Sequence, residues 1–260
     1  MLSEKVELLG KGLYTESKIP DVLTIKSIPT VTELEYVGSE DFDKVMLDSV
    51  LPAAIEEKIN PRELLEIDYY WICRCLRFLN YGPYYTASAI FCTDCHQVSR
   101  DGQYQVDLRT IPCNPLPKGF TNKIVIDPDQ FIDYKKRITL SLRSIQTMLN
   151  CANDNIFKKS DGRMNQELAR LCYMVTSIDD NTNVNPIDVM YQIEHEMSPA
   201  DYVILKGLAQ EYTNYGLVTG GSTVCPKCHS QQATFIAMID DRFFRPTLGD
   251  IRQWKQSRSS

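Results

Sequence analysis

Two short cysteine motifs stand far apart in the sequence, and each is followed by a histidine. Cys92 and Cys95 flank two residues, and Cys225 and Cys228 repeat the same spacing. A Cys-x-x-Cys turn directs two thiolates toward one metal ion, and tetrahedral zinc takes four thiolates at about 2.3 Å. Each pair is incomplete alone, so we predict that the four cysteines share one structural Zn2+. Such a site leaves no open position for water or substrate.

Three other interpretations of these motifs compete with a shared zinc ion. In the first, the thiols no longer bind metal and only pack in the interior. In the second, Cys113 replaces one member of the second pair, although it lies in a proline-bracketed loop without a partner cysteine. In the third, each motif attaches a c-type haem, with His96 and His229 as axial ligands. Haem attachment normally requires export, for which the N-terminal residues show no signal, and only His195 remains as a distal ligand. Zinc is therefore favoured over haem. His96 and His229 then occupy the position at which such turns often carry glycine.

The flanks of both motifs predict hairpins that position the thiols. Short apolar or β-prone runs enter the turns at residues 89–91 and 222–224. Alternating or β-prone runs leave them at residues 104–108 and 233–236, the first after a predicted Asp101-Gly102 turn. Two such knuckles facing each other form a zinc ribbon with a long helical insertion between its halves.

Length and charge restrict the context. The chain has 260 residues and a formal net charge of −6, so no general attraction to nucleic acid or anionic lipid is expected. Residues 1–20 contain no long apolar segment, and we expect neither a signal peptide nor a membrane span. The nine cysteines suit buried thiols and metal ligation in a reducing cytosol better than a disulfide framework.

The pattern along the chain predicts an α+β fold that is mainly helical, with an N-terminal β arm and two knuckles brought together from distant segments. Helices are predicted at residues 61–80, 129–150, 165–177, 186–196 and 199–215, and Pro52 should divide or kink an earlier helix. The expected parts are an extended or β arm at 1–38, a helical pair at 39–82, the first knuckle and hairpin at 83–126, the helical insertion at 127–217, and the second knuckle and C-terminal tail at 218–260.

No catalytic motif emerges from the sequence. Phosphate-binding glycine loops, zinc-protease motifs and nucleophile elbows are absent, and Glu194-His195-Glu196 is read as a solvated helix face. Four further cysteines are read as structural thiols in helical segments: Cys73, Cys75, Cys151 and Cys172. We therefore expect a protein that is not an enzyme.

Several ordered motifs resemble the tail baseplate hub proteins, or baseplate hub assembly proteins, of T4-like contractile-tailed bacteriophages. The motifs are Lys11-Gly12, Tyr14 and Ile19-Pro20 in the arm, Tyr81-Gly82-Pro83-Tyr84-Tyr85 before the first cysteine pair, and Phe243-Phe244-Arg245-Pro246 after the second. The resemblance covers roughly the first hundred and the last forty residues. The chain departs from the family pattern at Leu9-Gly10, where Pro-Ser often stands, and at the two histidines that replace knuckle glycines.

The resemblance implies a viral tail component or assembly factor, found in the virion baseplate or in the host cytoplasm during assembly. Its partners would be other tail and baseplate hub proteins, and its oligomeric state would be set by the baseplate. We expect no nucleic-acid partner and no membrane span. The alternative is a zinc-ribbon module that binds nucleic acid, which should present basic residues beside its knuckles. Short aromatic segments at 8–32 and 243–254 are predicted to be partner surfaces, because they appear too short to bury their apolar side chains.

Overall fold

The computed structural model describes residues 2–15, 17–36, 41–87, 89–99, 104–159, 162–218, 220–236 and 243–257. The fold mixes helices with antiparallel strands, as the predicted α+β class requires. The predicted Asp101-Gly102 turn lies outside the described residues.

The described residues form thirteen short strands. Their bounds are β1 Ser3–Glu7, β2 Val22–Lys26, β3 Tyr84–Ala87, β4 Ile90–Cys92, β5 Val98–Ser99, β6 Tyr104–Asp107, β7 Cys113–Asn114, β8 Ile124–Ile126, β9 Ile138–Leu140, β10 Val175–Ile178, β11 Gly216–Leu217, β12 Gly220–Thr223 and β13 Ala233–Ile236. The largest sheet has the order β12-β13-β4-β5, and a three-stranded sheet has the order β10-β9-β8. The pairs β1-β2, β3-β6 and β7-β11 form separate two-stranded sheets.

Nine α-helices occur in the same described segments. They are α1 Thr30–Tyr36, α2 Phe42–Val45, α3 Leu51–Ala54, α4 Glu66–Tyr81, α5 Ile145–Asn153, α6 Gln166–Met174, α7 Pro186–His195, α8 Pro199–Thr213 and α9 Leu248–Ser257. A π-helical turn, Met46–Val50, joins α2 directly to α3. This turn lies just before Pro52, whose ring cannot follow a regular α-helix, so the predicted disruption takes the form of one widened turn.

The N-terminal arm is an antiparallel hairpin of β1 and β2 held against α4 by a buried carboxylate. Asp68 is fully buried and accepts hydrogen bonds from the Leu9 N–H at 2.6 Å, the Gly10 N–H at 3.1 Å and the Tyr14 hydroxyl at 2.5 Å. Burial raises the pKa of Asp68, and these donors act against that rise. A Cβ on Gly10 would lie 2.6 Å from an Asp68 carboxylate oxygen. Any larger residue at position 10 would therefore displace the Asp68 carboxylate from its present place.

Helix α4 is the central helix of the fold and is buried on more than one side. Ile72 and Leu76 are fully buried within the larger apolar core. The helix begins at Glu66 rather than at Pro61, because Pro61–Glu63 form a separate 3-10 turn and Leu65 has an extended backbone. It ends at Tyr81 and is followed by the capping residue Gly82, whose φ of 77° suits glycine.

The C-terminal residues belong to the core. Phe243 and Phe244 are buried, and the Phe243 ring centroid lies 5.9 Å from that of Tyr85. Asp250 of α9 is buried and accepts hydrogen bonds from the side chains of Thr86 and Gln105. The prediction that residues 243–254 expose their aromatic side chains to a partner is wrong for both phenylalanines, because the motif packs inward beneath α9.

The insertion has its own core, built on the β10-β9-β8 sheet and on α5 to α8. The predicted helices at 186–196 and 199–215 match α7 and α8 closely. The predicted helix at 129–150 is wrong over most of its length. Residues 138–140 form β9, with Ile138 and Leu140 buried and paired to both neighbouring strands, and α5 begins only after Ser144 caps it. The predicted helix at 165–177 likewise ends at Met174, where β10 begins.

A single carboxylate organises the loop that was predicted to be helical. Asp201, fully buried in the first turn of α8, accepts hydrogen bonds from the backbone N–H groups of Ile132 and Tyr134 and from the Ser198 hydroxyl. Burial alone would raise the pKa of Asp201, but these donors outweigh it and lower the pKa. Backbone N–H groups of this non-helical loop thus find their hydrogen-bond acceptor in a side chain more than sixty positions away.

The two cores meet along the start of α4. The Glu66 N–H donates to the Arg143 carbonyl at 2.9 Å, and the nearly buried Arg143 guanidinium donates to the Glu66 carboxylate at 2.5 Å. Leu65, Ile67 and Leu142 form a small apolar cluster at the same junction. Among the described segments, every helix falls short of the length and apolar character that crossing a bilayer demands.

We expect Gly82→Ala to destabilise the protein by more than the cost of its left-handed backbone. That backbone cost is about 1–2 kcal/mol, and the new Cβ would also lie 2.3 Å from Cγ of Trp254. Gly119→Ala is the matched control, since Gly119 has a φ of 78° and open space around it. Chemical denaturation should show a larger loss for Gly82→Ala, and a Trp254→Ala background should reduce the difference between the two variants. Equal losses in both backgrounds would contradict a specific contact between Gly82 and Trp254.

We expect Asp201→Asn to destabilise the insertion at neutral pH and to lose this effect in acid. Because the pKa of folded Asp201 lies below its ordinary value of 3.8, its carboxylate stabilises the fold above that value. The stabilisation is lost as the pH falls below about 4 and through the lowered pKa. Thermal unfolding of the parent chain and of Asp201→Asn across this pH range checks whether their stabilities become equal in acid. Asp129→Asn, at an exposed position, is the control. A difference that stays constant with pH would rule out the carboxylate as its source.

Candidate metal centre

The largest sheet brings the two cysteine motifs together. β4 and β5 form the hairpin of the first motif, and β12 and β13 form that of the second. The hairpins join through β13 and β4, with Ala233 opposite Cys92 and Thr234 opposite Phe91. Antiparallel pairing of these inner strands places both turns at the same end of the sheet. Segments on either side of the insertion therefore meet in one sheet.

The strand that leaves the first turn differs from the predicted one. β5 pairs with β4, whereas residues 104–107 form β6 and pair with β3 in a neighbouring two-stranded sheet. The sequence alternation at 104–108 correctly indicated a strand but assigned it to the wrong partner. In the second hairpin the predicted run at 233–236 is β13, as expected.

The two turns have matching backbone conformations. The Cys92 N–H donates to the Gln97 carbonyl at 3.0 Å, and the Cys225 N–H donates to the Ser230 carbonyl at 2.7 Å. His96 and His229 have φ angles of 52° and 57°, in the left-handed region that favours glycine. Both imidazoles are exposed. The two histidines therefore occupy equivalent turn positions where glycine would be less strained.

The four thiols converge on one point. The sulfur atoms of Cys92, Cys95, Cys225 and Cys228 all lie within 4.8 Å of one another. The Cys92 and Cys228 sulfurs are 3.5 Å apart, and those of Cys95 and Cys225 are 3.8 Å apart. Four sulfurs at about 2.3 Å from a tetrahedral zinc ion would be separated by about 3.8 Å. The cluster therefore fits a tetrahedral thiolate site, with two ligands from each hairpin.

The local environment favours at least one thiolate. Backbone N–H groups of Cys228 and Lys227 point toward the Cys225 sulfur, and together they lower the pKa of that thiol to about 6 against the effect of burial. Cys92 and Cys225 are buried against the core, whereas Cys228 is exposed. A bound cation would compensate the charge of four thiolates in this position.

Polar side chains tie the turns to each other around the thiols. The Ser230 hydroxyl donates to the Asp94 carboxylate at 2.5 Å, and the Thr93 hydroxyl donates to the Gln232 carbonyl at 3.1 Å. The Lys227 ammonium donates to the Gln97 side chain at 2.7 Å. These contacts were not predicted from the sequence. The run of hydrogen-bonding side chains between and just after the paired cysteines indicates polar contacts at the turns, but it does not indicate which residues pair.

The remaining cysteines lie outside this cluster. Cys113 is in β7, where it pairs with Leu217 of β11, and it does not replace a member of the second pair. Cys73, Cys151 and Cys172 are buried, as predicted, and burial raises the pKa of each thiol, to about 12 for Cys172. His195, the proposed distal haem ligand, lies at the end of α7 in the insertion. Structural thiols are thus separated from the four that converge.

Taken together, the fold and site define a class: an α+β protein in which two distant Cys-x-x-Cys hairpins complete one four-thiol centre. No protein family model, curated protein or solved structure matches the chain. Its function must therefore be argued from its own residues.

We expect the purified chain to carry one zinc ion and no haem, and Cys225→Ser to loosen both hairpins. Only the folded chain brings the four thiolates together, so binding energy contributes to folding, and structural zinc sites in peptides contribute about 10–16 kcal/mol. Cys151→Ser should be mild, because it changes only a buried packing thiol.

Metal analysis and limited proteolysis with and without chelator check these expectations. A haem absorption band or zinc-free protein from zinc-replete cells would contradict the metal assignment. If Cys225→Ser exposed only the C-terminal segment and left the region around Cys92 protected, the two pairs would not share a metal.

Proposed function

We propose that this protein is a structural or assembly component of a contractile phage tail baseplate hub, acting through protein–protein contacts and stabilised by a structural Zn2+ at Cys92, Cys95, Cys225 and Cys228. The observation that carries the structural role is the convergence of four sulfurs within 4.8 Å. Four thiolates complete the coordination of zinc, so the ion would hold the zinc-ribbon-like pair of hairpins together and supply no reactive position.

The phage assignment rests on the ordered sequence motifs, and their packing supports treating them as one unit. Tyr85, in the motif at 81–85, contacts Phe243, in the motif at 243–246, with ring centroids 5.9 Å apart. Gly82, in the motif at 81–85, lies directly against the indole of Trp254, which follows the motif at 243–246. Residues that carry the resemblance at opposite ends of the chain thus stabilise the same part of the fold. The contacts support treating these two segments as one structural unit of this chain.

The surface of the four-stranded sheet favours a protein partner over nucleic acid. In the described residues of its two hairpins, 89–99 and 220–236, Lys227 is the one lysine or arginine, and its ammonium is bonded to Gln97. Asp94 adds a negative charge at the same turns. Nucleic-acid-binding zinc ribbons need basic residues that neutralise phosphates. Phe91 and Val98 pair across β4 and β5 and are each about half exposed, so the outer face of the sheet offers apolar contact area.

The proposal is tested in cells that produce tailed particles from the genome encoding this chain. Removing the gene should reduce assembled tails, and supplying the parent chain or Cys113→Ser should restore them. With Cys225→Ser, the number of assembled tails should be lower than with the parent chain by a factor of about ten or more, because loss of the zinc site removes much of the folding free energy. Cys113→Ser is the matched control, as it removes a half-buried thiol outside the site.

Mass spectrometry of purified particles and of the assembling lysate then separates the two versions of the role. A virion component is present in both samples, and a transient assembly factor is present only in the lysate, bound to tail proteins. Unchanged tail assembly without the gene would contradict the proposal. Co-purification with nucleic acid that is lost as salt rises would favour the nucleic-acid-binding alternative.

A further inference from the structure

The four cysteines of the candidate metal centre differ in their exposure to solvent. Cys92 and Cys225 are 0% and 2% exposed, Cys95 is half-buried and Cys228 is exposed. Cys228 is therefore the residue of the four that is most open to a small reagent in solution. Metal-bound cysteines are thiolates, the form that reacts with oxidants, and exposure then decides which one reacts.

The Cys228 sulfur lies close to a cysteine sulfur on the opposite hairpin. Its sulfur is 3.5 Å from that of Cys92, and the other close contact, between Cys95 and Cys225 at 3.8 Å, also joins opposite hairpins. A disulfide has an S–S bond of about 2.05 Å, so the first pair would need to approach by about 1.5 Å. The β13-β4 pairing, with Ala233 opposite Cys92, holds the two hairpins beside each other during that approach.

We propose that the four-cysteine centre is a redox switch in which hydrogen peroxide joins Cys228 to Cys92 and expels the metal, so that a covalent bond replaces the metal as the link between the hairpins. The inference rests on the proposed zinc site and assigns it a second, oxidised state. Segments on either side of the insertion would stay connected in both states.

The chemistry is a two-electron oxidation of two thiolates. The Cys228 thiolate attacks one oxygen of hydrogen peroxide, the O–O bond breaks, and Cys228 becomes a sulfenic acid as hydroxide leaves. The Cys92 thiolate then attacks the Cys228 sulfur, the S–S bond forms, and a second hydroxide leaves. Overall, two thiolates and one peroxide give one disulfide and two hydroxide ions. Zn2+ is released into water, because Cys95 and Cys225 alone supply only half of its ligands.

The test uses the zinc-loaded full-length chain treated with one molar equivalent of hydrogen peroxide. Released zinc is followed with a chromogenic chelator, remaining thiols are alkylated, and disulfides are mapped by mass spectrometry of the unreduced digest. We expect zinc release to rise in proportion to a Cys92–Cys228 linkage, and a thiol reductant with added zinc should reverse both. Cys113→Ser should give the same map and the same release, since Cys113 lies outside the centre.

Other products would overturn the proposal. A first linkage within one hairpin, between Cys92 and Cys95 or between Cys225 and Cys228, would show that the hairpins are not joined by oxidation. Release of zinc without any disulfide, or oxidation that leaves zinc bound, would also contradict it. Metal content is measured before oxidation, which keeps the two hypotheses distinct. Protein that lacks zinc would contradict the proposed metal site, while its disulfide map would still test the cross-hairpin linkage.

Discussion

The convergence of four thiols imposes a long-range constraint on the whole chain. Two of them come from a hairpin before the insertion and two from a hairpin after it, and they meet because β13 pairs with β4. Residues 96–224 must therefore leave and return to the same place. The insertion satisfies this requirement by building its own core and by joining α4 through Glu66 and Arg143. Closing so long a loop costs conformational entropy, which strand pairing offsets and which a metal ion bound by the four thiols would offset further.

Buried carboxylates perform a second kind of long-range connection. Asp68 fastens the N-terminal arm to α4, Asp201 organises the loop at 132–134, and Asp250 fastens α9 to β3 and β6. In each case a fully or nearly fully buried carboxylate accepts hydrogen bonds from a distant segment. A buried charge without such donors would be strongly destabilising. These three residues therefore add polar connections between segments that also share apolar contacts.

The sequence allowed prediction of the features that depend on local spacing. The paired cysteines and the proline-initiated helices α7 and α8 follow from residues close in the chain. The errors occurred where a distant residue decides the outcome. Apolar spacing at 129–150 suits a helix, but Asp201 binds the loop and β8 and β10 pair with β9 on both sides. The expectation that Phe243 and Phe244 are exposed failed for the same reason. The core in which they are buried includes residues more than a hundred positions earlier in the chain. The tie between Asp94 and Ser230 could not be predicted without the sheet that brings them together.

The separation of the two cores has a consequence for the order of folding during synthesis. Among the described residues, the buried apolar side chains of the second core lie within 124–209, so all of them leave the ribosome before the second cysteine pair does. The larger core, by contrast, includes both Val6 and Phe244. Its arm, its central helix and its first hairpin must wait, with Cys92 and Cys95 unmatched, until the last strands and aromatic residues emerge. The insertion, which interrupts the larger core in sequence, therefore has all its buried residues available for folding before the larger core does.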